Sequence, residues 1–373
     1  MTHRPTTEAE LSEIIASAET PLHITGGGTR PIGTTSASTA LSTSALSGVT
    51  LYEPGALTLV ARAGTPLAEI ETLLAGEGQR LAFEPMDHRP LLGSTGTPTL
   101  GGMVAANVSG PRRISAVGAC RDALLGVRFV DGAGRIIANG GRVMKNVTGY
   151  DLVKLMAGSY GTLGVLTELS LKVLPAPETS VTLTARDLDD ATAIAALSRA
   201  LGAPWEVTGA AHLPGTDETH IRLEGSAASM RYRAERLATH LADLGAFTAN
   251  FDAEDSAALW AAIRDVRAFA DTKGALWCLS VKPGDGPGLV ASLPDTQALY
   301  DWGGGRIWLH DPSSKQGAAI RDAVARTGGH ATRLRGADDL PAFPPANPVV
   351  ARLEQGLKAR FDPRGLLNPG LMD

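Results

Sequence analysis

The hydrophobic and polar positions of the first 80 residues follow two different periods. Apolar residues spaced three or four apart predict helices, whereas alternating apolar residues predict strands. These patterns predict a helix, two strands and a second helix, at 7–18, 22–25, 57–63 and 65–75. Thr65 is the expected N-cap of the second helix and Pro66 its first residue. The glycine-rich segment 26–29 directly follows the first strand, a common place for a binding loop.

Turn residues divide the next part of the chain. The pattern predicts a hairpin, then a short helix, then an alternating strand, at 124–130 with 135–138, 151–156 and 165–174. Pro175 and Pro177 end the last of these strands, because proline removes a backbone donor. The first domain is therefore predicted to end at residue 177.

Beyond residue 177 helical and strand patterns alternate, which predicts an α+β domain with an antiparallel sheet rather than a Rossmann sheet. The clearest strands are 181–185, 219–224 and 277–282, and the clearest helices are 191–201 and 226–244. A proline-rich link, 341–348, precedes a last helix at 349–360. The predicted organisation is thus a first domain (1–177), a smaller α+β cap (178–345) and a C-terminal helix and tail (346–373) that returns to the first domain.

Composition narrows the classes of partner. The chain has 373 residues, which favours two domains, and a formal net charge of -5, which gives no overall positive field for nucleic acid or anionic lipid. Cys120 and Cys278 are far apart, so the sequence predicts no disulfide scaffold and no metal or iron-sulfur site. It shows no signal peptide and no run of about 18 apolar residues. We expect a cytoplasmic protein that does not insert into a membrane directly and reaches the inner membrane only through partners.

Glycine-rich segments are the main candidates for binding chemistry, because glycine lets backbone N–H groups approach a phosphate closely. The loop 26–29 is neither a dinucleotide-binding nor a Walker motif, since Pro31 replaces the last glycine and no Gly-Lys-Ser/Thr follows. Segment 158–164 follows a helix and enters a strand, the reverse of the Rossmann order. Each segment alone could be a plain turn, but together with 101–110 they indicate a nucleotide cofactor.

The combination resembles the FAD-binding domain of the vanillyl-alcohol-oxidase family, also called PCMH-type. The resemblance is carried by Gly-Gly-Gly-Thr at 26–29, Val-Ala-Arg-Ala-Gly-Thr-Pro at 60–66, Leu-Gly-Gly-Met-Val-Ala-Ala-Asn at 100–107 and Gly-Thr-Leu-Gly-Val at 161–165. It implies that the first loop wraps the diphosphate of FAD and that the last strand backs the isoalloxazine. By matched position, the implied FAD contacts are Gly26, Gly27, Gly28, Thr29, Thr97, Gly101, Gly102, Asn107, Gly110 and Val165.

Further stretches resemble one group within that family, the FAD-binding E subunits of bacterial glycolate oxidases. They are Gly-Pro-Arg-Arg at 110–113, 143–152, Asp-Trp-Gly-Gly at 301–304, 328–333 and the tail 361–370. The resemblance implies a heteromeric enzyme that oxidises glycolate to glyoxylate, and related small 2-hydroxy acids. The implied partners are a larger catalytic flavin subunit and an iron-sulfur subunit.

Such chemistry needs an arginine clamp for the carboxylate and a base for the hydroxyl proton. The related catalytic subunits carry a His-x-Gly-Asp-Gly-Asn-x-His stretch, which is absent here. His330 and His310 are interpreted as structural, and His88 is the histidine expected to approach the cofactor. Neither loop 26–29 nor Thr97 with Pro98 offers a histidine or cysteine, so we expect FAD to be held noncovalently.

Two groups of polar residues have a binding and a structural interpretation of equal standing. Arg112, Arg113 and Arg121 could bind phosphate or carboxylate, or form ion pairs. Lys145 with Asn146, and Tyr150 with Asp151, could line the flavin ring or belong to a structural network.

The short cap and the missing histidine motif favour an accessory flavin subunit that relays electrons or stabilises a complex. Two other hypotheses stay open. A free-standing FAD-dependent 2-hydroxy-acid dehydrogenase would need a base and a carboxylate clamp that the sequence does not reveal. A scaffold that has lost its flavin would have damaged glycine loops, whereas these are intact.

Overall fold

The computed structural model describes residues 2–115, 117–142, 149–336 and 340–372. Its strands are β1 (Thr2–His3), β2 (Leu22–Thr25), β3 (Thr39–Ser42), β4 (Val49–Glu53), β5 (Thr58–Arg62), β6 (Gln79–Leu81), β7 (Leu124–Val130), β8 (Ile136–Gly140), β9 (Val165–Pro175), β10 (Thr179–Arg186), β11 (Val207–Leu213), β12 (Glu218–Gly225), β13 (Thr248–Asn250), β14 (Ala275–Ser280), β15 (Gln297–Asp301), β16 (Arg306–Asp311) and β17 (His330–Arg335). Its helices are α1 (Glu8–Ser17), α2 (Leu67–Gly76), α3 (Arg89–Leu92), α4 (Leu100–Ala105), α5 (Cys120–Ala123), α6 (Leu152–Met156), α7 (Asp190–Leu201), α8 (Ala227–His240), α9 (Ala253–Arg264), α10 (Gly286–Ala291), α11 (Gly317–Arg326) and α12 (Pro348–Phe361).

Two sheets form the first domain. A small parallel sheet has the order β1-β3-β2, and a six-stranded sheet has the order β4-β5-β9-β7-β8 with β6 paired to β9. The strand β9 is central because its alternating residues Leu169, Leu171 and Val173 are fully buried. The alternation and turn residues therefore predicted β7, β8 and β9 correctly.

The cap is an eight-stranded sheet, β13-β10-β12-β11-β15-β16-β14-β17, in which the described pairings are antiparallel. Alternate residues of β14 enter two different cores: Trp277 and Leu279 pack with the cap helices, and Leu276 packs with the first domain. The predicted α+β fold class is confirmed.

Two predicted helix limits differ from the structure. The second helix begins at Leu67, with Pro66 in the N-cap position. Thr65 does not cap it, because its hydroxyl donates to the Arg62 carbonyl and accepts from the Gly48 amide. The predicted helix 226–244 ends at His240.

The chain changes sheets at the predicted proline boundary. Strand β9 ends at Pro175 in the first-domain sheet, and β10 begins at Thr179 in the cap sheet. The tail then lies against the small parallel sheet: Leu367 bridges Leu22, and the Asn368 side chain accepts a hydrogen bond of 2.7 Å from the Ile24 amide. The domain limits at 177 and 345 stay predictions.

A buried network of ion pairs joins the cap to the first domain. Glu84 receives two hydrogen bonds, of 2.7 and 2.9 Å, from the Arg222 guanidinium on β12. Glu224, also on β12, accepts from Arg112 at 2.8 and 3.0 Å and from Arg80 at 2.7 Å. The side chains of Glu84, Arg112, Arg222 and Glu224 are only 4% to 11% exposed. We call these five residues the junction network, and it settles the open question about Arg112 in favour of ion pairing.

Two neighbouring contacts extend this junction. The Trp302 indole N–H donates to the Gly110 carbonyl at 3.0 Å, and Arg306 donates to the Ser109 carbonyl at 2.8 Å. The segment that follows α4 is therefore held by side chains of the cap.

We expect Arg222→Met to lower the stability of the fold by about 3–5 kcal/mol, because it leaves Glu84 buried without its bidentate partner. Thermal unfolding followed by circular dichroism measures the change. Arg199→Met is the matched control, since Arg199 pairs with Asp243 at the protein surface, where a pair contributes little. Equal losses in the two variants would contradict a special role for the junction network.

The same network predicts acid sensitivity. Burial alone would raise the pKa values of Glu84 and Glu224, but the neighbouring arginine charges outweigh burial and hold both pKa values below the ordinary 4.5. A carboxylate whose pKa is depressed by folding stabilises the protein above its unfolded pKa, and this contribution is lost as the pH falls. We therefore expect the melting temperature to fall steeply below about pH 4.5.

In Glu224→Gln the melting temperature is lower at neutral pH, and its fall in acid is shallower than in the wild type. Glu13→Gln, at an exposed position of α1, is the control for the loss of one carboxylate. An acid profile that Glu224→Gln leaves parallel to that of the wild type would contradict the assignment.

Candidate cofactor site

A cavity of about 540 Å³ opens in the first domain where the loop after β2 faces α4 and the start of β9. This volume is within the range of small-molecule sites, about 300–1,000 Å³. Polar side chains and glycines share its lining, among them His23, Arg30, Thr99, Tyr160, Gly161 and Asn368. The tail therefore contributes to the same cavity as the N-terminal loop.

Glycine is sterically required in the loop after β2. A Cβ on Gly27 would lie 1.6 Å from the Thr97 carbonyl oxygen, and a Cβ on Gly96 would lie 1.7 Å from the Gly27 oxygen. Two backbone segments thus pass each other at a separation that only glycine permits. This part of the cavity wall is consequently formed by backbone, which suits a ligand that is recognised by backbone N–H groups.

The helix α4 is equally tightly packed. A Cβ on Gly101 would lie 2.7 Å from the Ala63 Cβ, and the Gly101 amide donates to the Ala63 carbonyl at 2.7 Å. Thr99 caps the helix by accepting a hydrogen bond from the Gly102 amide. The interpretation of segment 101–107 as a short helix packed closely on the fold agrees with these contacts.

The structure places most of the implied FAD contacts around this cavity. The lining includes Gly26, Gly27, Gly28, Thr29, Gly101, Gly102 and Val165. Thr97, Asn107 and Gly110 lie outside the lining. Thr97 packs on Gly27, the Asn107 side chain accepts from the Arg121 amide, and Gly110 accepts from Trp302 at the junction. Contact of the ten residues with FAD stays a prediction.

Arg30 is a cavity residue that the sequence reasoning missed. Its Nε and Nη1 atoms are buried and have no hydrogen-bond partner, and its guanidinium lies 5.7 Å from the centre of the Tyr160 ring. Buried guanidinium donors without partners favour an anionic ligand. Arg30 directly follows the Gly-Gly-Gly-Thr loop, and that position was the available signal. The glycine cradle and this cation together fit a phosphate-bearing cofactor such as FAD.

The histidines are distributed differently from the expectation. His23 on β2 lines the cavity, whereas His88 is buried outside the lining with its Nδ1 at 3.3 Å from the Met86 carbonyl. Burial, and next the charge of Arg30, hold the His88 pKa well below its ordinary value. His310 lies near the end of β16 and contacts the Lys273 carbonyl at 2.7 Å, and His330 begins β17. Both agree with a structural interpretation.

The second open group of polar residues is only partly described. Lys145 and Asn146 lie outside the described residues. Tyr150 is 89% exposed, and Asp151 caps α6 by accepting from the Lys154 amide. Neither of these two lines the cavity.

Comparisons with known proteins identify the cofactor domain. Residues 1–139 match the family model described as an FAD binding domain. The chain is 37% identical over 358 residues to the glycolate oxidase subunit GlcE of Escherichia coli (strain K12). The alignment covers 95% of this chain and 93% of that protein. The chain belongs to the GlcE family. FAD is accordingly the cofactor of the first domain, as the glycine loops predicted.

Other relatives share a shorter part or only the fold. The glycolate oxidase subunit GlcD of Bacillus subtilis (strain 168) is 45% identical over 87 residues, 23% of this chain and 18% of that protein. A solved structure of alkyldihydroxyacetonephosphate synthase aligns with 99% of this chain and 75% of its own, at a TM-score of 0.70 and 16% identity. A solved structure of a chitooligosaccharide oxidase aligns with 100% of this chain and 91% of its own, at a TM-score of 0.67 and 16% identity. The GlcE-family chain therefore has the vanillyl-alcohol-oxidase fold.

We expect Gly27→Ala to abolish retention of FAD, because the new methyl group displaces either the loop or the Thr97 segment. The flavin-to-protein absorbance ratio of the purified protein measures retention. Gly55→Ala, where the added methyl group meets nothing within 4 Å, is the control and keeps the flavin. Full flavin content in Gly27→Ala, with an unchanged melting temperature, would show that the loop does not hold the cofactor.

Proposed function

We propose that this chain is the FAD-binding subunit of a heteromeric glycolate oxidase, which oxidises glycolate and related 2-hydroxy acids. The observation that carries the proposal is the match to GlcE over nearly the full length of both proteins. This match covers the cap and the tail as well as the FAD-binding domain. A shared cofactor domain alone would not extend so far.

The proposed role is accessory to a separate catalytic flavin subunit. Among the described residues no group of three or more histidine, cysteine or acidic side chains could hold a metal ion. The name of GlcD, a glycolate oxidase subunit of which the alignment covers 18%, supports a second subunit in the complex. An iron-sulfur subunit completes the proposed complex, by resemblance to the glycolate oxidase group.

The residues around the cavity have a definite task in this proposal. FAD, when bound, would supply a redox centre that takes up electrons and passes them on within the complex. The backbone of Gly26–Gly28 and the Arg30 guanidinium would hold its phosphates. Asn368 of the tail closes one side of the cavity together with Tyr160. Its side-chain amide donates a hydrogen bond of 2.9 Å to the Tyr160 carbonyl. We propose that FAD is held noncovalently.

No described helix combines the length and the apolar character that a membrane crossing requires. We propose that the protein is cytoplasmic and reaches the inner membrane only as part of the complex.

A second candidate function is a free-standing 2-hydroxy-acid dehydrogenase. It is favoured by a 31% identical match to the D-lactate dehydrogenase of Archaeoglobus fulgidus over 178 residues, 46% of this chain. The match covers only 38% of that protein, so it supports a shared domain and not a shared whole enzyme.

The test is an absorption spectrum of the isolated chain before and after acid precipitation, followed by anaerobic addition of glycolate. We expect a yellow protein whose FAD is released by acid and is not bleached by glycolate within the turnover time of the whole complex. Co-expression with the other two subunits then restores glycolate-dependent bleaching.

Rapid bleaching of the isolated chain would favour the free-standing dehydrogenase. Flavin that stays with the acid-precipitated protein would overturn noncovalent binding. A chain that carries no FAD, and a complex that is fully active without this chain, would together overturn the proposed function.

A further inference from the structure

Tyr160 lies in a strained turn on the wall of the cofactor cavity. It is half-buried and lines the cavity beside Gly161. Its backbone φ is 50°, in the left-handed region that favours glycine, and that of Gly161 is 72°. A residue with a side chain keeps such a conformation only when its surroundings impose it. The contacts of Tyr160 therefore show what holds the turn in place.

Asn368 of the C-terminal tail holds the backbone of this turn. Its side-chain amide donates a hydrogen bond of 2.9 Å to the Tyr160 carbonyl, while its Oδ1 atom accepts one of 2.7 Å from the Ile24 amide on β2. The Tyr160 amide in turn donates to the carbonyl of Ala105, the last residue of α4, at 2.8 Å. Asn368 is only 2% exposed, so these hydrogen bonds are shielded from water. One buried side chain thus links the tail, β2 and the turn.

The Tyr160 ring contacts both a cation and a second ring. The Arg30 guanidinium lies 5.7 Å from its centre, within the range of a cation–π contact, and the Phe343 ring meets it edge to face at 4.8 Å between centres. The Phe343 carbonyl accepts a hydrogen bond of 3.1 Å from Arg321 of α11. The Nε and Nη1 atoms of Arg30 have no hydrogen-bond partner among the described residues. The face of Tyr160 is consequently a main restraint on the position of the Arg30 guanidinium.

An arginine side chain that is already held in place binds a phosphate more tightly than a mobile one, because less conformational freedom is lost on binding. We propose that Tyr160 and Asn368 are positioning residues for FAD. Asn368 fixes the Tyr160 backbone, and the Tyr160 ring fixes the Arg30 guanidinium with its Nε and Nη1 atoms free for the cofactor phosphates. This inference deepens the proposed function and rests on its assignment of Arg30 to those phosphates. It gives the C-terminal tail a role in the affinity for FAD as well as in the fold.

The experiment is a titration of the chain, freed of its flavin, with FAD, followed by the quenching of flavin fluorescence. Tyr160→Leu removes the aromatic face, and we expect it to weaken FAD binding at least about fivefold through the loss of the cation–π contact. Tyr160→Phe is the matched control, because it keeps the ring, and its affinity is expected within about twofold of the wild type. Wild-type affinity in Tyr160→Leu, or equal losses in the two variants, would overturn the role of the ring.

A double-mutant cycle with Arg30→Gln separates positioning from a general effect on the shape of the cavity. If Tyr160 acts through Arg30, Tyr160→Leu weakens FAD binding less than about twofold in the Arg30→Gln background, whereas independent effects are additive. Titration to millimolar FAD keeps the double variant measurable. A purely structural role of Tyr160 lowers the affinity equally in both backgrounds, and that result would overturn the inference.

Asn368→Asp tests the tail. The carboxylate has nearly the same shape as the amide and still accepts from Ile24, but it presents an acceptor oxygen to the Tyr160 carbonyl. We expect FAD binding to weaken at least about fivefold, and this loss to shrink below about twofold in the Arg30→Gln background. Simple repulsion between the new charge and the phosphates would persist in that background and would overturn the role of the tail.

Asn347→Asp is the matched control for Asn368→Asp. Asn347 caps α12 at an exposed position, where aspartate caps as well as asparagine does, so we expect wild-type affinity for FAD. Equal losses in the two asparagine variants would also overturn the role of the tail.

The outcomes that overturn this inference differ from those that overturn the proposed function. A wild-type chain that binds no FAD would count against the proposed function itself. A wild-type chain that binds FAD, with unchanged affinity in Arg30→Gln or in Tyr160→Leu, would overturn this inference and leave the FAD-binding subunit intact.

Discussion

The crossed ion pairs between Glu84 and Arg222, and between Glu224 and Arg112, are the constraint on which the arrangement of the two domains depends. Each pair takes one partner from the first domain and one from β12 of the cap. Because all four side chains are withdrawn from water, a displacement of the cap would break the bidentate pairs between the domains and leave only the longer contacts within each domain, Arg112 to Glu84 at 3.4 Å and Arg222 to Glu224 at 3.9 Å. The junction network therefore favours one position of the cap relative to the first domain.

The position of the cap also affects the cofactor cavity, because the segment that the cap contacts directly follows a helix of the cavity wall. The helix α4 supplies Gly101 and Gly102 to the cavity wall, and the segment directly after it is held by Trp302 and Arg306 of the cap. Trp302 and Arg306 of the cap thus hold the backbone that directly follows this part of the cavity wall. On the opposite side, Asn368 of the tail holds the carbonyl of Tyr160. Three distant parts of the sequence consequently enclose one site.

The sequence predicted best those features that are set by local backbone requirements. Gly27 and Gly101 lie where no Cβ fits, so the motifs that contain them mark the site directly. Strand β9 was equally clear, because one face alternates into the core. The strands β11, β15 and β17 were not predicted. The cap sheet is covered on both faces, and buried polar residues such as His212 on β11 and Asp301 on β15 interrupt the alternation that reveals a strand.

Long-range partners account for the remaining misses. Arg112 and Glu224 are separated by 112 residues, and nothing in the sequence near Arg112 distinguishes a junction ion pair from a ligand-binding cluster. The expectation for His88 followed its proximity in sequence to the Gly-Gly segment, whereas His23 enters the cavity through the register of β2 and β3. Proximity in sequence is a weak guide here, because the tail and the N-terminal loop share the cavity.

The missing histidine motif bears on the chemistry that this chain is able to carry out. A dehydrogenase needs an anchor for the substrate carboxylate and a base for its hydroxyl proton, and these are separate requirements. The buried His88, whose pKa is well below its ordinary value, is a poor candidate for binding a proton at neutral pH. A chain without an evident base would hold FAD without oxidising a 2-hydroxy acid efficiently, which is compatible with an accessory flavin subunit.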